Sequence, residues 1–523
     1  MNKKTWIVLI IIYLFSLVIW AIPIFQAKVP FGGSDISIHY YLSTYMANTD
    51  KSLLDLPPSA SAWYLYDPKE NPQNHLMYPP PLHTSLSLAQ LVTFDTYYGF
   101  YFLLLVYGTI GMFTIFLLCR ELFGDIAALL SAFLFPFLLR NSLSYLWGQF
   151  ATCISYSLVP LILLLYYKYI NSGTPGNKEF KWLAIMSAMV CLQFTIHPIG
   201  AMMSFMSVVV YTIFLTIKDK ALPISIKHGI LTGVIICLGL VFLQLTHADI
   251  LQNRASEFDV SAEGFGFSFS RLFGWYNMPG GYHGIPAFYF SFDKIYNGWW
   301  LLVPVLLGLV LLSIRRSKKD WVILSTLIAF YILTHLDLMG MNMGGYFQRQ
   351  MYYESILFIP LISVGVVYFF RTFSQKYKSA VMWASIILFI GIFCYINVLP
   401  SINLFQNTFS PQSRITFPLI DAANFINNNV PQGSYVLLIG TPTFEYQTWL
   451  QALTPGIGLI FDQGQLVPTK DTNLGKEKYV LFDFSWQRPN EEVVSHLLSL
   501  EQSISNSSTK IYDSNVIKVY KLG

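Results

Sequence analysis

Charged residues are the scarcest feature of this sequence. Only 11% of its 523 residues are Asp, Glu, Lys or Arg, whereas soluble domains carry about a quarter. By contrast, 54% of the residues are hydrophobic and the mean hydropathy is +0.50. These values exclude a water-soluble globule of this length, and we expect most of the chain to lie in lipid.

Paired cysteines and a strong net charge are also lacking. The five cysteines stand singly in apolar runs, without a CxxC spacing that would indicate a metal or redox site, and we expect them to be small core residues: Cys119, Cys153, Cys191, Cys237 and Cys394. The net charge of +4 is too weak to indicate nucleic-acid binding. The sequence contains neither an internal repeat nor a coiled-coil heptad pattern.

Long apolar runs are abundant. A membrane helix needs about 20 apolar residues, and eleven runs near that length predict spans at 6–25, 97–118, 125–139, 150–167, 182–196, 199–217, 228–246, 299–314, 321–336, 351–370 and 379–399. The runs at 125–139 and 182–196 are short, which suits helices buried among others or re-entrant segments. The fold class predicted from this pattern is an α-helical polytopic membrane protein.

The basic residues predict the orientation of these spans. With the N-terminus in the cytoplasm, the cytoplasmic segments hold sixteen Lys and Arg, whereas the much longer outer loops, without the tail, hold eight. This is the bias that positively charged loops show in membrane proteins. We therefore expect a cell-membrane protein whose N-terminus is cytoplasmic and whose long loops and tail are extracytoplasmic.

Three outer regions are long enough to carry aqueous chemistry: residues 26–96, residues 247–298 and the tail. We expect a transmembrane domain over residues 1–400 and a small extracytoplasmic α/β domain over residues 401–523. Helix-like stretches in the tail (Leu419–Asn429 and Glu491–Ser503) alternate with β-rich runs (Tyr435–Ile439, Tyr479–Phe484 and Val516–Tyr520). The residues Asp513-Ser514-Asn515 predict a hairpin turn between two strands.

The first outer loop contains two short motifs. GGSDISIHYY places Asp35 at the start of a predicted helix, where a carboxylate suits the helix dipole, and His39 lies one turn later. Further on, NHLMYPPPLHTSL sets three prolines between His75 and His83. Those prolines predict a rigid extended turn that returns the loop towards the membrane.

These features together resemble the GT-C glycosyltransferases, such as protein mannosyltransferases, aminoarabinose transferases and oligosaccharyltransferase catalytic subunits. The likeness in architecture covers about residues 1–400, while the motif match is confined to GGSDISIHYY and YPPPLH. The resemblance implies a sugar donor carried on a polyprenyl phosphate, direct displacement with inversion, and Asp35 at the position of the catalytic carboxylate. It also implies an acceptor on the outer face, which is a glycan, a lipid or a protein.

Physical chemistry assigns further roles on that basis. A sugar hydroxyl needs a base in the transition state, which Asp35 would supply, and the departing lipid phosphate needs a cation, for which Arg349 is the candidate. His39, Asp67, His83 and His197 are the other substrate-binding candidates. Asp35, Arg349 and His197 each have a plainer interpretation without a catalytic or binding role. Asp35 would only cap a helix, Arg349 would only extend to the membrane surface, and His197-Pro198 would only end a helix.

Metal use and the function class stay open at this point. The first loop has no DxD motif, and Asp35 with Asp67 or Glu70 is a thin ligand set for a divalent ion. The scattered histidines show no HxxxH spacing that would indicate zinc. A secondary transporter is the main alternative to a transferase, although no inverted repeat supports it. A non-catalytic lipid-binding or scaffold protein of the same architecture is the third.

Overall fold

The computed structural model describes residues 3–27, 30–32, 36–48, 80–146, 148–173, 178–246, 297–334, 354–377, 379–408, 416–439, 449–450, 453–454, 457–461, 466–467, 477–484 and 491–523. The chain divides into two compact units. One comprises Met1–Ile22, Leu104–Tyr145 and Phe150–Phe405, and the other comprises Pro23–Leu103, Leu146–Gln149 and Gln406–Gly523. We call them the first and second units.

The described helices, in chain order, are α1 (Lys3–Ala27), α2 (Ile36–Asn48), α3 (Pro80–Thr93), α4 (Thr96–Phe123), α5 (Asp125–Phe137), α6 (Leu139–Leu146), α7 (Phe150–Ser157), α8 (Val159–Asn171), α9 (Phe180–Ile196), α10 (Pro198–Asp219), α11 (Ile226–Thr246), α12 (Leu302–Arg315), α13 (Lys318–Thr334), α14 (Glu354–Tyr377), α15 (Ser379–Phe393), α16 (Leu399–Asn403), α17 (Phe417–Asn429) and α18 (Glu491–Ser505). Every one of the eleven predicted spans corresponds to one of these helices or to a continuous helical run. The chain is thus an α-helical polytopic membrane protein.

Five helical runs in the described part are long and apolar enough to cross a membrane: Lys3–Ala27, Thr96–Phe123, Phe150–Asn171, Pro198–Asp219 and Ala380–Gln406. The predicted short spans are short in the structure too, because α5 has 13 residues and α9 has 17. The last run extends beyond the predicted end at residue 399. It passes through Pro400 by means of π-helical segments at Cys394–Val398 and Leu404–Thr408, whose wider turns accommodate irregularities in a helix.

Small residues allow helices of the first unit to approach closely. A Cβ atom at Gly308 of α12 would lie 2.8 Å from the backbone carbonyl carbon of Leu361 in α14. A Cβ atom at Gly365 of α14 would lie 2.9 Å from the amide nitrogen of Gly308. Glycine lets backbones meet in this way in membrane helix pairs, so α12 and α14 form one of the tightest contacts in the described part of the unit.

Two turns of the first unit share one construction. Arg120 at the end of α4 pairs with Asp125 at 2.9 Å, and Arg315 at the end of α12 pairs with Asp320, whose side chain is fully buried. Lys319 donates a hydrogen bond to the carbonyl of Glu121 at 3.1 Å. Each arginine thereby joins two successive helices, and the lysine joins the two turns.

The cysteines only partly follow the expectation of core residues. Cys119 and Cys153 are buried, but Cys191 and Cys394 are half-buried and Cys237 is exposed. Cys237 lies on α11, where several large apolar side chains such as Leu238 are exposed as well. In a membrane protein an apolar surface suits lipid, so apolar surroundings in the sequence did not distinguish core from lipid-facing positions.

In the second unit, the prediction that the three prolines form an extended turn is wrong for the last two of them. Pro80 and Pro81 are the first two residues of α3. Proline is tolerated in the first turn of a helix because the amide hydrogens there have no partner within the helix. The helix therefore begins within the proline run, and His83 lies in the first turn of α3.

The tail forms an α/β fold around a six-stranded sheet of order β3-β2-β1-β4-β6-β5. The strands are β1 (Tyr435–Ile439), β2 (Gly458–Phe461), β3 (Leu466–Val467), β4 (Lys478–Asp483), β5 (Ser508–Asp513) and β6 (Ile517–Leu522). Strands β1, β2 and β4 are parallel, and the other pairs are antiparallel. The predicted hairpin turn at Asp513-Ser514-Asn515 is confirmed between β5 and β6.

One face of this sheet packs on α18. The core there contains Ile439, Val480, Phe482, Leu497 and Tyr520. At its edge, Glu501 of α18 accepts hydrogen bonds from Lys518 at 2.7 Å and from the Tyr520 hydroxyl at 2.5 Å. These contacts attach the helix to β6.

Candidate functional site in the first outer loop

The candidate catalytic residue directly precedes a described helix. Asp35 lies outside the described residues, but Ile36, the next residue in the chain, begins α2 and is 1% exposed. Asp67 and Arg349 also lie outside the described residues. The described residues that flank Asp35 in sequence, together with their contacts, define the site, and all of them belong to the second unit.

The structure brings together two of the predicted site residues, His39 and His83. Nδ1 of His39 lies 2.8 Å from Nε2 of His83, and the rings stack with centroids 5.1 Å apart. Both side chains are buried, with exposures of 1% and 0%. Two imidazoles can share a hydrogen bond only if one donates and the other accepts, so this geometry suits a pair in which His39 is neutral.

Burial explains the protonation of His39. Removal from water lowers the pKa of His39 to about 4, while a hydrogen bond with the backbone of Gly148 acts in the opposite direction. Desolvation penalises the charged form of a histidine. At neutral pH the His39 ring is consequently uncharged.

A polar layer holds α2 on α3 beyond the histidine pair. The Ser87 hydroxyl donates to the Ser43 carbonyl at 2.6 Å. Nε2 of Gln90 donates to the Thr44 hydroxyl at 3.2 Å and to the Thr96 carbonyl at 3.1 Å. Buried hydrogen bonds of this kind specify one register between two helices, and α2 is thus fixed along its length.

The chain segment before Asp35 is held by Tyr101 of α4. The amide of Phe31 donates to the Tyr101 hydroxyl oxygen at 2.8 Å, and that hydroxyl donates to the Phe31 carbonyl at 2.6 Å. The two rings stack at 4.3 Å with an interplanar angle of 13°. Gly32 follows with φ of +112°, a conformation that favours glycine.

His197 lies in the first unit and is described by itself. It is the single residue between α9 and α10, where its Nδ1 accepts a hydrogen bond from the amide of Ile199 at 3.3 Å. The Ser155 hydroxyl donates to the His197 carbonyl at 2.8 Å. Because Nδ1 accepts, the neutral ring carries its hydrogen on Nε2. His197 therefore caps α10 whether or not it also binds a substrate.

Two further basic residues, Arg140 and His228, are not among the predicted site residues. The backbone of Arg140 lies in α6, but its side chain is outside the described part of the chain. His228 pairs with the Tyr169 hydroxyl at 3.0 Å. Within the ranges given above, no three His, Cys, Asp or Glu side chains come close enough to hold a metal ion.

Sequence reasoning selected His39 and His83 but did not predict that they pair. The two residues are 44 positions apart, and no spacing rule relates them. It also missed Gly148 and Tyr101. The sequence offers no signal that singles out Tyr101, because Tyr97 shares its face of α4 at a spacing of four residues.

Comparison with solved structures shows the fold. ArnT from Cupriavidus metallidurans in the apo state is 11% identical, with 100% of this chain and 98% of that chain covered and a TM-score of 0.59. The same protein bound to undecaprenyl phosphate is 12% identical, with 99% and 98% covered and the same TM-score. The archaeal oligosaccharyltransferase AglB from Archaeoglobus fulgidus, in complex with an inhibitory peptide and a dolichol-phosphate, is 13% identical, with 99% and 74% covered and a TM-score of 0.54. The chain shares the fold of these membrane proteins.

Two comparisons of sequence complete this picture. No curated protein matches the chain. A family model described as a family of unknown function matches residues 3–400, which is the part of the chain that contains all the predicted spans.

Proposed function

We propose that this chain, which belongs to the family of unknown function DUF6541, is an integral-membrane glycosyltransferase. It transfers a sugar from a polyprenyl-phosphate donor to an acceptor on the outer face of the membrane. The observation that carries the proposal is the buried His39–His83 pair, fixed at the helix that follows Asp35 in a chain with GT-C architecture. The undecaprenyl phosphate bound to ArnT and the dolichol-phosphate bound to AglB support a lipid-phosphate donor.

Asp35 acts as the general base in this proposal. It takes the proton of the acceptor hydroxyl as the oxygen attacks the anomeric carbon, and the bond from that carbon to the lipid phosphate breaks. A protonated histidine close to Asp35 would stabilise its carboxylate and weaken it as a base. Because burial keeps His39 neutral at neutral pH, the pair positions the helix without reducing the basicity of Asp35.

The other groups take supporting roles. Arg349 stabilises the negative charge that develops on the departing phosphate, and Asp67 and His197 contact the donor or the acceptor. A divalent ion, if used, needs ligands beyond those that the described residues bring together.

A matched pair of variants tests the proposal. Membranes that contain the protein are incubated with a panel of labelled polyprenyl-phosphate sugars, and the labelled product is identified. Asp35→Asn should lower turnover by at least about 100-fold while donor binding is retained. Asp95→Asn is the control, because Asp95 is another carboxylate of the first outer loop that caps a helix, accepting from the Tyr98 amide at 2.8 Å, and asparagine caps equally well.

The outcomes separate the candidate functions. A transferase requires loss of turnover in Asp35→Asn and normal turnover in Asp95→Asn. Normal turnover in both variants would remove Asp35 from the mechanism. If the wild-type protein uses none of the donors, the proposal fails, and solute uptake into proteoliposomes would then test the transporter alternative.

A further inference from the structure

We propose that Tyr101 is a positioning residue that sets the location of Asp35 by clamping the backbone of Phe31. This inference rests on the proposed function, because it presumes that Asp35 is the base. It goes beyond that function by assigning a role to a tyrosine on a neighbouring helix. We call the two hydrogen bonds between Tyr101 and Phe31 the Phe31 clamp.

The Phe31 clamp uses both hydrogen-bonding capacities of one hydroxyl group. The Tyr101 oxygen accepts from the Phe31 amide at 2.8 Å and its hydrogen is donated to the Phe31 carbonyl at 2.6 Å. The backbone N–H and C=O of one residue are thus satisfied together by one side chain. Since Phe31 and Tyr101 are each 1% exposed, water does not readily replace these bonds, and an unpaired buried group is costly.

Residues 33–35, among them Asp35, connect two described residues, Gly32 and Ile36, that are both held in place. On the N-terminal side, the Phe31 clamp holds Phe31, and Gly32 follows it directly. On the C-terminal side, Ile36 packs so closely on Gly32 that a Cβ atom at Gly32 would collide with its side chain and would lie 3.1 Å from the Leu146 carbonyl oxygen. Four residues can span roughly 14 Å when extended, but here the two ends lie side by side.

The second anchor is α2 itself. The His39–His83 bond and the Gly148 contact fix the first helical turn of α2. Ile36, at the C-terminal end of the connection that contains Asp35, therefore has little freedom. The Phe31 clamp fixes the other end. A three-residue connection between two fixed ends restricts where its last residue, Asp35, is presented to a substrate.

Accurate placement of a catalytic base raises the rate of the reaction by a large factor. Catalytic groups act efficiently only when the reacting atoms are held close and aligned, and a misplacement of 1 Å can lower the rate by about 100-fold. Loss of the Phe31 clamp would free the N-terminal end of the connection over residues 33–35 but leave α2 in place. The expected effect is therefore on turnover rather than on donor affinity.

Tyr97 provides a matched control for the loss of a buried hydroxyl. It lies one turn before Tyr101 on the same face of α4, and its hydroxyl donates to the Ile24 carbonyl at 2.7 Å. That bond is to Ile24 of α1, not to Phe31 or to the connection that contains Asp35. Tyr97→Phe and Tyr101→Phe remove the same chemical group from neighbouring positions, and only the second releases Phe31.

The test compares kcat and donor KM for the two variants in the full-length protein. Tyr101→Phe should lower kcat by about 10- to 100-fold and change KM by less than about threefold, whereas Tyr97→Phe should change neither by more than about threefold. Hydrogen–deuterium exchange gives a readout independent of activity: the amide of Phe31 should exchange faster in Tyr101→Phe than in Tyr97→Phe. Equal kcat values in the two variants, or unchanged exchange at Phe31, would overturn the inference.

Asp35→Asn separates this inference from the proposed function. If Asp35→Asn is fully active, the proposed function fails and the positioning role has no base to act on. If Asp35→Asn is inactive but Tyr101→Phe behaves like Tyr97→Phe, the function stands and only the positioning role is wrong. If both hold, adding Tyr101→Phe to Asp35→Asn should lower the residual rate no further, because the misplaced group is already absent.

Discussion

The buried histidine pair should make the protein lose stability in mild acid. In the folded protein the pKa of His39 is lowered to about 4, whereas the ordinary value is 6.5. Between these two pH values the unfolded chain binds a proton that the folded chain does not bind. Stability is therefore complete above about pH 6.5, falls as the pH decreases through the window, and levels off near pH 4.

The magnitude follows from the size of that window. At pH 5 the unfolded chain gains about 2 kcal/mol from protonation of His39, while the folded chain gains almost nothing. The limiting value near pH 4 is about 3 kcal/mol. Because the ring is 1% exposed, solvent screening reduces these values little.

The assay is reversible unfolding in mixed detergent micelles, followed by circular dichroism between pH 7.5 and 4.5. His39→Asn should lower the stability at pH 7.5, because the ring-to-ring hydrogen bond is lost, but it should flatten the pH dependence by about 2 kcal/mol at pH 5. His496→Asn is the control, since His496 lies on α18 and is exposed. If the wild-type protein and His39→Asn lost stability in parallel as the pH fell, the buried neutral ring would not be the cause.

Two predictions concern packing away from the site. Gly308→Val should cost about 2 kcal/mol or more in the same unfolding assay, because its Cβ would collide with the backbone of Leu361, whereas Gly391→Val should cost little, since a Cβ there meets nothing within 4 Å. Glu501→Gln should destabilise β6 by about 1 to 3 kcal/mol, because Lys518 loses its charged partner. Faster amide exchange in β6 would reveal this change, and unchanged exchange would contradict it.

The spans were predictable because lipid imposes a simple rule on sequence. A helix that satisfies all its backbone groups internally and presents apolar side chains is among the few structures that can cross a bilayer. Each predicted run accordingly coincides with helical residues in the described part of the chain. The ends were less predictable, because Pro400 sits within the last run and wider helical turns carry the chain past it to Thr408.

The tail shows both the strength and the limit of local patterns. Tyr435–Ile439 is a strand with the predicted bounds, since five consecutive β-branched, aliphatic and aromatic residues favour that structure. The short strands Gly458–Phe461 and Leu466–Val467 were not predicted. They have four and two residues, which is too short for a periodic pattern to emerge.

Residue types indicated the site, but only the fold relates them. His39 and His83 were candidates because they lie in the two motifs of the first outer loop, GGSDISIHYY and YPPPLH, yet their mutual hydrogen bond depends on how α2 packs against α3. The start of α3 within the proline run determines on which turn His83 lies. Tyr101 was missed because an aromatic residue in an apolar helix has the same sequence signature whether it clamps a loop or fills a core.

The order of the strands has a consequence for biosynthesis. The sheet places β6 between β4 and β5, although β6 is the last of the six strands to leave the ribosome. Until Ile517–Leu522 has emerged, β4 presents an open edge and β5 has no neighbour. The sheet therefore cannot close before Ile517–Leu522 has been translated, and a premature stop codon just before Ile517 would remove an interior strand rather than trim an edge.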